Sequence, residues 1–192
     1  VVAHMAQDQA MLSAFEEHQD IHATTAAAIF EIPLQEVSKK QRRQAKAINF
    51  GLIYGMSAFG LTRSTDLTLA EAEDFREAYF SRFPGVKRYL DRVRKKAKDE
   101  GYVETLFGRR RYFPRLKTTT NYNIRQRGER EAINAPIQGT AADIMKKAML
   151  DVHHALENSN LQTRMLLQVH DELVFEAPRN ELDHTIQVVQ TT

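Results

Sequence analysis

Four residues at four-residue spacing, Arg42, Lys46, Phe50 and Tyr54, gain a chemical meaning if they lie on one helix. Successive members of an i, i+4 series drift by about 40° around a helix axis, so two cations and two aromatic rings share one broad stripe. Ala45, Ile48 and Leu52 fall roughly opposite. Such a helix packs on its aliphatic side and offers charge, then rings, on the other. Cations suit phosphates, and flat rings suit a sugar and a base. The same pattern also serves ordinary packing with a solvated rim. A second candidate is His170-Asp171-Glu172, set between the apolar runs 164–169 and 173–177. A hairpin turn needing only solubility would carry Asn-Gly or Asp-Gly there. Adjacent carboxylates repel, and holding them together makes sense when a divalent cation sits between them and something anionic. An exposed turn is equally the ordinary home of charged residues. His18 and His22 stand four apart, a spacing that can bind a metal, but Asp20 breaks the helix between them and no third ligand is near, which favours surface or capping roles. The adjacent His153 and His154 read the same way.

The elements that must position these residues follow from period and punctuation. Residues 2–18 have helical spacing and no breaker, which predicts one helix. Asp20 caps a second from Ile21 to Phe30, ended by Pro33. Ser38 with Gln41 forms a capping box at the start of the aromatic and basic stripe, and Gly55 stops it. Residues 56–60 read as a turn-rich connection. Thr68 with Glu71 is a second capping box, opening a helix that runs to Pro84. A third long helix spans Gly85 to Glu100 and closes at Gly101. The period then changes to two: residues 102–106 and 110–114 predict a hairpin with arginines at its tip, and 118–122 an exposed loop. A helical pattern from Ile124 is expected to break near 134–139 and to restart at Thr140, running through Leu156. The last unit is a hairpin over 164–177, with the His-Asp-Glu triplet at its turn. No internal repeat is present.

The 192 residues, 42% of them hydrophobic, suffice for one sizeable domain or one and a half small ones. No run approaches the roughly 18 apolar residues of a membrane span, and no secretory leader pattern opens the chain, so a soluble, cytoplasmic protein without a membrane partner is expected. Cysteine is absent, which excludes disulfide scaffolding and thiolate metal sites. The net charge of +2 argues for no particular partner, but its distribution does. Lys39, Lys40, Arg42, Arg43 and Lys46 form one basic group. Arg109, Arg110, Arg111, Arg115, Lys117, Arg125, Arg127 and Arg130 form another, and aromatics interleave with both. Two such runs lean toward a phosphate-rich partner. Val1 begins inside a helical pattern and the chain stops within residues 186–192 without a stop signal, so both ends read as cut.

Taken together, Arg42-x3-Lys46-x3-Phe50-x3-Tyr54-Gly55 and Gln168-Val-His-Asp-Glu-Leu-Val-Phe-Glu176 resemble motifs of the DNA polymerase I family, also called family A. Tyr102-Val-Glu-Thr-Leu-Phe-Gly-Arg-Arg-Arg111 and Arg130-Glu-Ala-Ile-Asn-Ala-Pro-Ile-Gln-Gly-Thr-Ala-Ala-Asp143 match between them in order and spacing. The resemblance covers essentially the whole chain, and several long motifs in sequence are far more specific than one.

The resemblance implies an α+β fold: a helix-rich fingers subdomain plus part of the antiparallel-sheet palm of a right-hand polymerase. Residues 1–37 would be palm-to-fingers helices, 38–122 the fingers, and 123–192 a C-terminally truncated palm. It implies template-directed addition of deoxynucleotides to a primer 3′ end in DNA replication or repair. Arg42 and Lys46 would hold the incoming triphosphate, with Lys46 also protonating the departing pyrophosphate, and His22 would lie near the phosphates. Phe50 would lie against the deoxyribose, a phenylalanine there implying poor acceptance of dideoxynucleotides, and Tyr54 would stack at the templating position. Arg130, Asn134 and Gln138 would contact the primer–template minor groove, whose acceptors are common to every correct pair. His170 would touch the primer terminus. Asp171 would ligate catalytic Mg²⁺ with Glu172 in support, two ions serving phosphoryl transfer in the complete enzyme. The family's first palm motif, with its other aspartate and a glutamate, should lie just upstream of Val1, so the chain alone is expected to be inactive, and a monomer. Two other classes compete: a nucleic-acid-binding module without chemistry, and a metal-dependent nuclease using Asp171 and Glu172, which lacks the dispersed carboxylates such a site needs.

Overall fold

The computed structural model describes residues 1–63 and 65–192. Two helices, α1 (Val2–Ala6) and α2 (Gln9–Glu16), stand where one was predicted over 2–18. Gln7 turns left-handed at φ 48°, and Asp8 begins a new helix, its Oδ1 accepting from Met11 N–H at 3.1 Å. The other oxygen accepts from Gly85 N–H at 2.7 Å and Val86 N–H at 3.2 Å. The break therefore has a physical reason that an apolar period hides: one carboxylate, 2% exposed, satisfies first-turn amides of two helices.

Asp20 caps α3 (Ile21–Phe30), accepting from His22 and Ala23 N–H, and Glu31 ends it in a left-handed conformation. The predicted capping box at Ser38 and Gln41 opens α4 (Lys39–Ile53). Residues 56–60, expected to be a turn, enter a short helix α5 (Ala58–Thr62), because Ser57 Oγ accepts from Gly60 N–H. The Thr68 and Glu71 box opens α6 (Leu69–Arg82). Pro84 opens α7 (Pro84–Glu100), which Gly101 closes at φ 81°. Strands β1 (Tyr102–Glu104) and β2 (Arg110–Tyr112) form the first hairpin, shorter than expected, with Tyr102 opposite Tyr112 and Glu104 opposite Arg110. A short helix, α8 (Pro114–Thr118), precedes the loop.

The expected break near 134–139 does not occur: α9 runs unbroken from Tyr122 to Asn158 with Pro136 inside it. An interior proline lacks the N–H that would bond four residues back and costs about 3 kcal/mol. Against that, Ala132, Ile133, Pro136 and Ile137 are all buried, and burying an isoleucine side chain returns about 1.5–3 kcal/mol each. Strands β3 (Arg164–Val169) and β4 (Glu172–Glu176) pair antiparallel with an irregularity between Met165 and Leu167, and α10 (Leu182–Thr191) follows.

The fold is α+β, dominated by helices, with two antiparallel hairpins. It divides into two compact units, Val1–Gly139 and Thr140–Thr192. The first has a continuous apolar core in which Ile48, Leu52, Leu61, Tyr79, Phe83, Val86, Leu90 and Ile133 are almost wholly buried. Helix α4 packs on α3, which also meets α6, and α1 lies along α7. In the second, Val152 and Leu156 are buried, and Thr163 Oγ1 lies 2.7 Å from Thr185 Oγ1. No helix among the described residues is long and apolar enough to cross a membrane.

Candidate functional site

The aliphatic side of α4 (Ala45, Ile48, Leu52) is buried, which turns the i, i+4 stripe outward. At its start, Arg42 Nε donates to Asp20 Oδ2 at 2.5 Å, with both side chains nearly half exposed. One turn on, Lys46 Nζ lies 5.9 Å from the Phe50 ring centroid. Phe50, 43% exposed, stacks on Tyr54 with centroids 6.1 Å apart and planes at 22°. His22, at the first turn of α3, brings its ring within 5.7 Å of Phe50. Arg42, Lys46, Phe50, Tyr54 and His22 are thus gathered along one face, as the spacing predicted for the first four.

Three contacts behind this face, made by Asp20, Thr25 and Asn49, escape a reading by spacing. Asp20 is both the α3 cap and the partner of Arg42. Asn49, buried on α4, donates through Nδ2 to Thr25 Oγ1 at 3.1 Å and lies 3.0 Å from His22 Nδ1. The available signal was an amide inside the stripe Ala45, Ile48, Leu52. The Arg42 guanidinium holds the Asp20 carboxyl below the usual carboxylate range, helped by the helix amides. Burial pushes the His22 imidazole below its ordinary value, and Arg42 and Lys46 add to that while Asp20 opposes it.

Tyr54 also lines a cleft of about 550 Å³ with Met56, Arg127, Arg130, Glu131 and Asn134. Arg130, Asn134 and Gln138 follow at i, i+4 and i+8 on α9; Arg130 and Gln138 are exposed, and Asn134 is half-buried, its Oδ1 without a hydrogen-bond partner among the described residues. Glu131 is engaged by Arg127 Nε at 2.9 Å and Arg111 Nη2 at 3.1 Å, so it does not face the cleft as a bare anion. Gly55, at φ 73°, lets α4 end against α9: a Cβ there would meet Ile133 Cδ1 at 2.8 Å.

In the second unit, His170 and Asp171 form a two-residue turn between the paired Val169 and Glu172. His170 is left-handed at φ 54°, and its carbonyl accepts from Gln168 Nε2 at 2.7 Å. A left-handed non-glycine residue is uncommon. His170, Asp171 and Glu172 are all exposed. Their carboxylates are hard oxygen donors, which suits Mg²⁺, an ion usually held by one or two carboxylates with waters and substrate phosphates. Among the described residues no group of three or more His, Cys, Asp or Glu is arranged so that it could hold a metal ion, so the pair fits as a partial ligand set.

The family model for DNA polymerase family A matches residues 1–192. The chain belongs to that family. Among its family A relatives, DNA polymerase I of Pseudomonas aeruginosa is 50% identical over 190 residues, 99% of this chain and 21% of that protein. DNA polymerase I of Bacillus caldotenax is 49% identical over 189 residues, 98% of this chain and 21% of the relative. The chain therefore spans about a fifth of the length of the curated polymerases it matches. A solved structure, the POL domain of Pol1 from M. smegmatis in complex with DNA primer-template and dNTP, is 43% identical with a TM-score of 0.93, covering 99% of this chain and 33% of the other.

Proposed function

We propose that this family A chain supplies the nucleotide-gripping and part of the catalytic surface of a template-directed DNA polymerase. The reading rests chiefly on the face of α4, where two cations, two stacked rings and a neutral imidazole gather beside a cleft carrying Arg130 and Asn134. Binding of primer-template and dNTP by the M. smegmatis neighbour supports it. Residues 38–122 would serve as fingers, 123–192 as palm, and 1–37 as the connection between them.

Arg42 and Lys46 bind the triphosphate as fixed cations, and Lys46 donates a proton to the departing pyrophosphate. Phe50 covers the deoxyribose and Tyr54 stacks at the templating position, while Arg130, Asn134 and Gln138 follow the minor groove and His170 meets the primer end. Asp171, supported by Glu172, would hold Mg²⁺. When bound, that metal supplies the charge neutralisation and hydroxyl activation of phosphoryl transfer. Closure of the α4 face over a correct pair completes the site and so selects it. The polymerase works as a cytoplasmic monomer.

Two carboxylates are half of a two-ion ligand set, so the isolated 192-residue chain does not extend primers. Primer extension measured on the complete polypeptide carrying this sequence tests the reading: Asp171→Asn lowers kcat by about 10²–10³-fold or more, and Lys46→Ala by a similar factor. Unchanged incorporation in Asp171→Asn, or template-dependent incorporation by the isolated chain, contradicts it.

A further inference from the structure

Asn49 lies on the aliphatic side of α4, only 3% exposed. A buried amide is costly unless its polar atoms are paired, yet Asn49 Oδ1 has no hydrogen-bond partner among the described residues. Its nitrogen, by contrast, is used twice, at Thr25 Oγ1 and at His22 Nδ1. A third bond fixes the direction of both. Thr25 Oγ1 donates its single proton to the Ile21 carbonyl at 2.6 Å, and a carbonyl can only accept. Thr25 Oγ1 is therefore the acceptor toward Asn49, which places the amide NH₂ on that side. The second N–H of the same group meets His22 Nδ1. An imidazole nitrogen that accepts a hydrogen bond carries no proton, so neutral His22 carries its proton on Nε2. Asp20, the nearby acid that could have set the ring instead, is already engaged: Oδ1 by the amides of His22 and Ala23, Oδ2 by Arg42.

We propose that Asn49 is a positioning residue for nucleotide binding: through Nδ2 it fixes His22 as the Nε2–H tautomer, so that the imidazole presents a donor, not a lone pair, to the triphosphate. The inference deepens the reading of His22 as a phosphate-side residue and rests on it. A lone pair at Nε2 would repel phosphate oxygens, whereas an N–H there donates to them. The orphaned Oδ1 is the penalty accepted for aiming both amide protons at Thr25 and His22.

The test uses the complete polypeptide carrying this sequence, labelled with ¹⁵N at histidine, the His22 signals being assigned by their loss in His22→Ala. Nδ1 is expected to read as a bare nitrogen and Nε2 as a protonated one, and Asn49→Leu to mix the two tautomers. In steady-state incorporation, Asn49→Leu raises the KM for dNTP about five- to tenfold with kcat within about twofold, the size expected for one ordinary net hydrogen bond. Thr25→Val moves KM in the same direction. In a His22→Ala background, Asn49→Leu adds nothing further, which separates action through His22 from loss of packing. A proton on Nδ1 in the unsubstituted protein, or the same KM rise with and without His22, overturns the proposal. A His22→Ala variant with unchanged KM overturns the phosphate-side reading beneath it, even where the tautomer is as expected.

Discussion

Asp20 accepts from Arg42 Nε, so this cation already has an anionic partner within the folded chain. The pair is nearly half exposed and contributes modestly to stability. Its pH signature has a definite sign. The Asp20 carboxyl lies below its ordinary value of 3.8, so its contribution is present above that pH and is lost as pH falls through the lower folded-state value. His22 is also depressed, but as a base: its contribution is complete above the ordinary 6.5 and is lost on acidification below it. Urea midpoints should therefore fall between about pH 7.5 and about pH 5 through His22, and His22→Gln should remove that part of the fall. Asp20→Asn, which keeps a capping side chain, should flatten the loss at lower pH. The α4 stripe was legible because i+4 spacing and motif agreed. The pairing of Asp20 with Arg42 and of Asn49 with His22 was not, because these partners lie 22 and 27 positions apart and no periodicity reports such a pair.

Elements were legible where caps mark them. Both capping boxes, the Asp20 cap and the Gly101 stop stand where the sequence puts them. Two of the divergences have opposite reasons. The helix expected over 2–18 is broken by a polar residue whose value lies in contacts made far along the chain. The break expected at Pro136 is overridden by burial of Ile133 and Ile137 in the core. Local propensity is a weak prior against tertiary packing. The Asp8 cap gives a prediction at this scale. Asp8→Ala leaves Met11, Gly85 and Val86 N–H without their acceptor in a buried place, and should destabilise the fold by about 3 kcal/mol, read from urea unfolding. Asp8→Asn should recover only part of this, since one of its two termini cannot accept.

Across the molecule, apolar burial is uneven. The continuous core lies within the first unit. The second exposes Ile144, Leu150, Leu166, Leu167, Leu182 and Ile186 to solvent, each more than two-fifths accessible. Hydrogen exchange should therefore protect the amides of α4 and α7 more strongly than those of β3 and β4, and equal protection would contradict this division. The sequence led to the α+β class and to the order of the elements, because the motifs run through the whole chain. The unequal division of the core was not legible, since the hairpin at 164–177 is as apolar in sequence as any buried strand.

The Asp8 carboxylate has a further consequence, in time. It joins residues 77 positions apart, and α7 has no side-chain cap of its own. Closing a loop of that length carries an entropy cost that only a largely assembled chain repays. The contact belongs to the late side of the folding barrier, so Asp8→Ala should accelerate unfolding and leave the folding limb of the chevron almost unmoved. In this molecule a helix cap acts as a kinetic lock, closed last and opened first.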